Sequence, residues 1–277
     1  MKFKIIGDSC TDFLPSDLAK EYIINVPLTI DIGGYEVIDD ETFDQHDFLN
    51  RVASYEGCPK SACPSPEMYM EHFSDAQEIY VITLSSHLSG SYNSACLAKQ
   101  LYETEHPDVK IHVFDSESAS TGQYLLAHII EQLALAQTPF EEIVEHVEHF
   151  RDTMITTFVL ENLDTLRKNG RLTAVKAFVA NALNIKPCMI GEHGVIKQYS
   201  QARGMKRALS LMIEYIENHC TQPLHKTLVI SHCNCLDRAK QVQEELLTRC
   251  NFQDSIIIDT NGISSVYAND GGIIVSC

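Results

Sequence analysis

The chain has 277 residues, of which 44% are hydrophobic, and its formal net charge at pH 7 is −17. This length suits one large or two ordinary domains, and no apolar run approaches the ~20 residues of a transmembrane helix. The negative charge argues against nucleic-acid binding and against adhesion to anionic membranes, because no basic stripe is available to contact phosphates. Without an apparent export signal, we expect a cytoplasmic protein with no integral membrane association, whose ten scattered cysteines are reduced.

The first half of the chain alternates apolar runs with amphipathic segments. The runs at 3–7, 79–84 and 110–114 predict strands, and a hairpin is predicted from 24–32 and 35–38, with its turn at Gly33-Gly34. Helices are predicted at 15–22, 48–55, 66–73, 91–105 and 122–136, and another opens near Thr138. Strands that alternate with helices predict a parallel sheet covered on both faces, so we expect an α/β protein.

The second half has a different pattern, typical of an α+β domain with a mixed or antiparallel sheet. Strands are predicted at 154–160, 185–190, 195–200, 227–232, 255–259 and 272–276, and helices at 163–167, 173–183, 205–219 and 237–249. We therefore expect two domains, an N-terminal α/β domain at 1–153 and a C-terminal α+β domain at 154–277.

Three polar loops follow predicted strands of the first half: "GDSCTD" (7–12), "LSSHLSGS" (84–91) and "DSESASTG" (115–122). Ligands of parallel sheets bind at the carboxyl ends of strands, beside helix N-termini. The hydroxyls of Ser85, Ser86, Ser89 and Ser91, with Gly90 allowing close backbone approach, would suit a carboxylate or a phosphate. An ordinary helix N-cap is the alternative, since it needs only one of these hydroxyls.

For several other polar residues, a structural role explains the sequence as well as or better than a functional one. Ser61 lies in a proline-rich loop, "CPKSACPSP" (58–66), that is also explained as a rigid turn. Asp8 and Asp115 could bind a metal or act as acid and base, but capping of turns is the favoured interpretation. His146 and His149 are spaced as metal ligands on a helix, yet a solvated acidic face explains them better. The cysteine spacings complete no zinc site, and the turn "SHCNC" (231–235) is read as structural, so we predict neither a metal nor a cofactor.

Two cationic clusters stand out in this acidic chain. The first is "LRKNGRL" (166–172), which contains Arg171, and the second contains Arg203, Lys206 and Arg207. Such clusters suit docking of an acidic or phosphorylated partner. Cations that complement a helix dipole are the alternative, which explains Arg167 and Lys168 better than Arg171.

Taken together, these segments resemble the DegV family of bacterial fatty-acid-binding proteins. The resemblance rests on the order of "DSCTDF", "PKSACPSP", "LSSHLSGSYNSA", "DSESASTGQ", "FVLENLDTLRKNGRL", "LNIKPCM", "HGVI" and "ARGMKRAL", which covers nearly the whole chain. It implies two α/β domains that enclose a narrow apolar tunnel, in which hydroxyls bind the carboxylate of a long-chain fatty acid. Some members present this acid to a separate kinase, which forms an acyl-phosphate for phospholipid synthesis. The resemblance therefore implies a lipid carrier that is not an enzyme.

Site residues follow from the resemblance by position. The family's "PxTSQPS" loop matches 59–65, which makes Ser61 a carboxylate contact with Ala62 beside it, and "LSGTY" matches 88–92, which makes Ser89 the second contact, with Gly90 and Ser91 adjacent. The family's Gly-Arg turn and its downstream Arg match Arg171 and Arg203. The family's C-terminal His-Thr-Gly-Pro-Gly motif has no histidine counterpart, and Tyr267 or Asn269 stands nearest.

An acyl chain also needs apolar walls, and we expect Phe158, Leu160, Ile185 and Met189 to line the tunnel, with core packing as the alternative for each. The rival function is a hydrolase or small-molecule phosphotransferase that uses Asp8, Asp115 and the serine loop. The G-x-S-x-G elbow is missing, and His87 is adjacent to the serines in sequence only. A regulatory or interaction protein with a vestigial tunnel is the third possibility.

Overall fold

The computed structural model describes residues 2–172 and 184–277, so the predicted helix at 173–183 lies outside the described residues. The strands are β1 (Phe3–Asp8), β2 (Ile23–Val26), β3 (Thr29–Ile32), β4 (Tyr35–Ile38), β5 (Lys60–Ala62), β6 (Glu78–Thr83), β7 (Lys110–Asp115), β8 (Thr156–Val159), β9 (Ile185–Glu192), β10 (Val195–Arg203), β11 (Thr227–His232), β12 (Asp254–Asp259) and β13 (Ile273–Ser276). The helices are α1 (Pro15–Leu18), α2 (Gln45–Ser54), α3 (Pro66–Met70), α4 (Ser91–Glu105), α5 (Thr121–Leu135), α6 (Phe140–Thr153), α7 (Asp164–Lys168), α8 (Met205–His219), α9 (Leu236–Cys250) and α10 (Gly262–Ala268).

The predicted parallel sheet is confirmed, with four strands in the order β2-β1-β6-β7. Its strands are almost continuously buried because helices cover both faces. Within β6, Tyr80 and Ile82 pack toward α5, whereas Ile79 and Val81 pack toward α3 and α4. This alternation follows from the two-residue period of a strand.

The predicted strand at 24–32 is wrong, because the segment divides at Pro27. Residues before the proline form β2 of the parallel sheet, and residues after it form β3, which pairs antiparallel with β4 and β5 in a separate small sheet. Proline has no amide hydrogen to donate to a strand ladder, so it favours a break at this point. The turn at Gly33-Gly34 is confirmed, with φ of +66° and +92°.

The second half forms a mixed six-stranded sheet in the order β10-β9-β8-β13-β11-β12. Strands β11 and β12 are parallel and the other neighbours are antiparallel, as predicted for this half. Helices α8 and α9 cover one face, and the other face is turned toward the loops of the first half. All strands of the four-stranded sheet end before residue 116, and all strands of the six-stranded sheet begin after residue 155. The domain boundary near residue 153 stays a prediction.

Among residues 2–172 and 184–277, no helix combines the length and the apolar character that crossing a membrane requires.

Candidate ligand-binding site

A cavity separates the six-stranded sheet from the loops of the first half. The cavity, together with the solvent space at its opening, leaves about 750 Å³ free of protein atoms. Most of the side chains around it are apolar. They are Cys10, Leu84, Leu88, Ala119, Phe158, Leu160, Leu166, Ile196, Ile263, Tyr267, Ala268 and Ile274.

The floor of the cavity follows β8. Thr156, Phe158 and Leu160 alternate along the strand and all face the cavity, over a distance of about 13 Å at the ~3.3 Å rise of a strand residue. The predicted lining by Phe158 and Leu160 is therefore confirmed. Met189 instead is fully buried in the core beside Phe158, and Ile185 pairs with Arg203 at the sheet's outer strands, so the prediction that these two line the cavity is wrong.

The roof is formed by the three polar loops, which meet at the carboxyl edge of the parallel sheet as predicted. The Asp8 carboxylate accepts hydrogen bonds from the Leu84 amide (2.8 Å) and from the Gln123 side chain (2.8 Å), and Asp115 accepts one from the Ser86 amide (3.1 Å). Burial raises the pKa of Asp8 to about 6. Both carboxylates thus fix the loops, which supports the structural interpretation of these acids.

One wall is α10, a helix that sequence patterns did not reveal. Its first amides, from Gly262 and Ile263, donate to the buried carboxylate of Asp39 at 2.6 and 2.8 Å, and the Asn261 amide donates to Asp12 at 2.8 Å. These acids belong to the first half of the chain, so no local signal marks where the helix begins.

Tyr267 and Arg171 line one end of the cavity, which we call its mouth, and Ser61 contacts Tyr267 there. The Ser61 hydroxyl lies 3.1 Å from the Tyr267 hydroxyl, and the Arg171 guanidinium lies 5.8 Å from the centre of the Tyr267 ring. Arg171 Nε donates to the Leu88 carbonyl at 3.2 Å, which connects the arginine to the serine loop. The Arg171 guanidinium and the hydroxyls of Ser61 and Tyr267 therefore lie together at the mouth.

The serine loop packs on the loop that carries Ser61. Ser89 Oγ accepts a hydrogen bond from the Ser91 amide at 3.2 Å and lies 3.0 Å from Ser91 Oγ, and Ser89 directly precedes Gly90, the N-cap residue of α4. A Cβ added at Gly90 would lie 3.0 Å from Cys63 Sγ, which explains why a glycine fits here. Ser91 is fully buried, and its hydroxyl lies within hydrogen-bonding distance of the Ser89 hydroxyl. Ala62 is exposed and pairs with Thr29 of β3.

Tyr267 and Asn269, which stand nearest to the missing histidine of the family's C-terminal motif, have different surroundings. Tyr267 borders the cavity and contacts Ser61, whereas the Asn269 side chain donates to the Tyr267 and Asn162 carbonyls. Of the two, Tyr267 is the residue that borders the cavity.

The two arginines expected to dock a partner also differ. Arg171 is half-buried at the mouth, whereas Arg203 is exposed at the end of β10. Their role in docking stays a prediction.

The geometry gives little support to catalysis or metal binding. His87 is exposed; its backbone amide donates to Ser85 Oγ at 3.2 Å, but within the described ranges no hydrogen bond joins its imidazole to a serine. His146 and His149 lie on the exposed face of α6. In the described part of the chain, no group of three His, Cys, Asp or Glu side chains could hold a metal ion.

Known proteins resemble this chain over its whole length. A family model described as "Uncharacterised protein, DegV family" matches residues 2–276. A DegV domain-containing protein of Streptococcus pneumoniae is 35% identical over 280 residues, which cover 99% of this chain and 98% of the relative.

Solved structures of DegV family proteins also match this chain over nearly its whole length. A DegV family protein from Ruminococcus gnavus, solved with vaccenic acid, is 49% identical with a TM-score of 0.96, and covers 99% of both chains. The S. pneumoniae Fatty Acid Kinase (Fak) B3 protein, loaded with linoleic acid, is 33% identical with a TM-score of 0.90, and covers 100% of this chain and 99% of the other. The chain with this cavity therefore belongs to the DegV family.

Proposed function

We propose that this protein binds a long-chain fatty acid and presents its carboxylate to a separate kinase, without catalysing a reaction itself. The acyl chain lies along β8, and the carboxylate lies at the mouth beside Ser61, Tyr267 and Ser89. The observation that carries the proposal is a mostly apolar cavity that ends at a cluster of hydroxyls and one arginine. Such a shape matches an amphipathic ligand with one acidic end.

The polar side chains inside the cavity are already paired. Ser118 Oγ lies 2.8 Å from Thr156 Oγ1, and Ser120 Oγ donates to the buried Asp12 carboxylate at 2.5 Å. Paired hydroxyls have little remaining capacity to bind a polar ligand group, so they suit an apolar tail. Burial of each methylene contributes about 0.8 kcal/mol, which makes the tail the main source of affinity.

The charges set the orientation of the ligand. Arg171 stands at the mouth, where it attracts a carboxylate, whereas Glu117 borders the cavity near Thr156, Gly191 and Gly194. The Glu117 carboxylate lies 3.6 Å from His193 Nδ1 at this end, so a fatty acid inserted in the reverse direction would bring its carboxylate near another acid, which is unfavourable because like charges repel. The acidic end therefore belongs at the mouth, where a kinase can reach it.

The kinase part of the proposal is supported by the similarity to the Fak B3 protein. We place this activity in the cytoplasm, where a chain with ten free cysteines would remain reduced. The rival hydrolase or phosphotransferase is not favoured, because Asp8 and Asp115 are committed to backbone amides.

The direct test is to purify the protein from a bacterial host, denature it and analyse the released lipid by mass spectrometry. We expect one dominant class, a long-chain fatty acid, in near-stoichiometric amount. Protein that releases no fatty acid, and that fails to bind one added in solution, would contradict the proposal.

A further inference from the structure

Gly191 lies inside β9 and borders the end of the cavity that is remote from the mouth. In the register of the sheet it stands between Thr156 of β8 and Ile196 of β10, and both of these neighbours also border the cavity. Two side chains therefore flank a position that has none. The missing side chain leaves a recess in the floor of the cavity between Thr156 and Ile196, which we call the notch.

The backbone does not require glycine at this position. Gly191 lacks the positive φ that favours glycine, and a Cβ added there would make only ordinary contacts, 3.7 Å to Thr156 Cβ and 3.8 Å to the Glu117 carbonyl. Gly194, in the same hairpin, is different. Its φ is +76°, and an added Cβ would lie 2.6 Å from Ser85 Oγ.

A glycine inside a strand is unfavourable, because it gains conformational freedom in the unfolded chain and offers no side chain to pack. Such a glycine often marks a site where a ligand approaches the backbone closely. At Gly191 the free side is the cavity itself. Gly191 pairs with Thr156, and Leu160, which clusters with Tyr267 of the mouth, lies about 13 Å farther along the chain at ~3.3 Å per residue. The methyl end of an acyl chain bound as proposed above would therefore reach this notch.

We infer that Gly191 determines the longest acyl chain that the cavity accepts. This inference rests on the proposed fatty-acid binding and adds a specificity-determining residue to it. Any side chain at position 191 would project into the cavity and occupy space that the last methylenes of a long chain need. Fatty acids with shorter acyl chains, which end before the notch, would bind to such a variant as they bind to the wild-type protein.

The test compares wild-type protein with Gly191→Ala and Gly191→Leu, after bound lipid has been removed and replaced by an equimolar mixture of saturated acids from dodecanoic to octadecanoic. Mass spectrometry of the retained acids gives the ratio of octadecanoic to tetradecanoic acid. We expect this ratio to fall by about tenfold or more in G191L, since one methylene in an apolar pocket changes discrimination by ~10–200-fold, and to fall less in G191A. The matched control is Glu192→Leu, which adds the same side chain one residue along, on the exposed opposite face of the strand.

The outcomes separate this inference from the proposed function. Folded G191L or G191A protein with the wild-type ratio would overturn the role of Gly191 and leave fatty-acid binding intact. An equal loss of all chain lengths in both variants would also overturn it, because a length limit spares short acids. Wild-type protein that takes up no acid from the mixture would overturn the proposed function and this inference together.

Discussion

The Tyr267 hydroxyl lies 3.1 Å from the Ser61 hydroxyl, although 206 residues separate the two in the chain. Ser61 belongs to β5 of the small sheet, and Tyr267 belongs to α10, which packs on α2 and β3. The pair therefore joins the two halves of the chain at the mouth of the cavity. A carboxylate bound there would receive hydrogen bonds from both halves at once.

Replacement of Tyr267 by Phe removes one hydroxyl and leaves the apolar ring in place. We expect the affinity for a long-chain fatty acid to fall by about 1.5–3 kcal/mol, the usual contribution of a hydrogen bond to a charged group. The dissociation constant can be measured by displacement of a fluorescent fatty acid. Tyr55→Phe is the matched control, since Tyr55 is exposed; equal affinities of Y267F and Y55F would contradict the assignment of Tyr267.

The double variant Ser61→Ala, Ser89→Ala tests the carboxylate site from the other side. We expect weaker binding of the acid and a smaller loss for its methyl ester, because the ester is uncharged and gains less from hydroxyl donors. Binding of both ligands to this variant and to Ser54→Ala, an exposed serine, provides the comparison. If the acid and the ester lose the same affinity, the two serines act on the fold and not on the carboxylate.

The two arginines allow binding and docking to be separated. Arg171 is at the mouth, so Arg171→Gln should weaken fatty-acid binding, and the loss should shrink at high salt. Arg203 is exposed and is not one of the residues that line the cavity, so Arg203→Gln should leave binding unchanged and slow acyl-phosphate formation by a fatty-acid kinase with ATP. A full kinase rate with R203Q would remove Arg203 from the docking surface.

Stability should depend on pH through Asp12. Burial raises the pKa of this carboxyl from 3.8 to about 8 in the folded protein. The folded state therefore binds a proton more tightly than the unfolded state, and the associated stability is complete below pH 3.8 and is lost as pH rises to about 8. Asp12→Asn should reduce this loss, since asparagine is always neutral and tolerates the left-handed backbone at this position (φ +55°).

The measurement is the free energy of unfolding in urea at intervals between pH 5 and pH 9, for wild type and D12N. Asp8 and Asp39 also have pKa values raised to about 6 by burial, so some pH dependence should remain in the variant. Curves of identical slope would show that Asp12 does not titrate in this range. Asp108→Asn serves as the control, since Asp108 is an exposed aspartate.

Local sequence pattern determined much of the fold. The boundaries of α4, α8 and β11 agree with the prediction residue for residue. A glycine directly precedes each of the two helices, and β11 is a short apolar run between polar residues. The parallel sheet, the mixed sheet and the meeting of three polar loops at one edge also follow from such patterns. Helix and strand boundaries depend on neighbours within a few residues, and the order of strands and helices along the chain then predicts the type of sheet.

Tertiary structure decided the composition of the site. Helix α10 begins where Asp12 and Asp39 bind its amides, and these acids lie more than 200 residues earlier in the chain. Nothing in the local pattern distinguishes Tyr267 from Asn269, or Phe158 from Met189, as neighbours of the cavity. The order and register of strands from both halves determine which side chains meet a ligand, because recognition depends on distances in space and not on spacing along the chain.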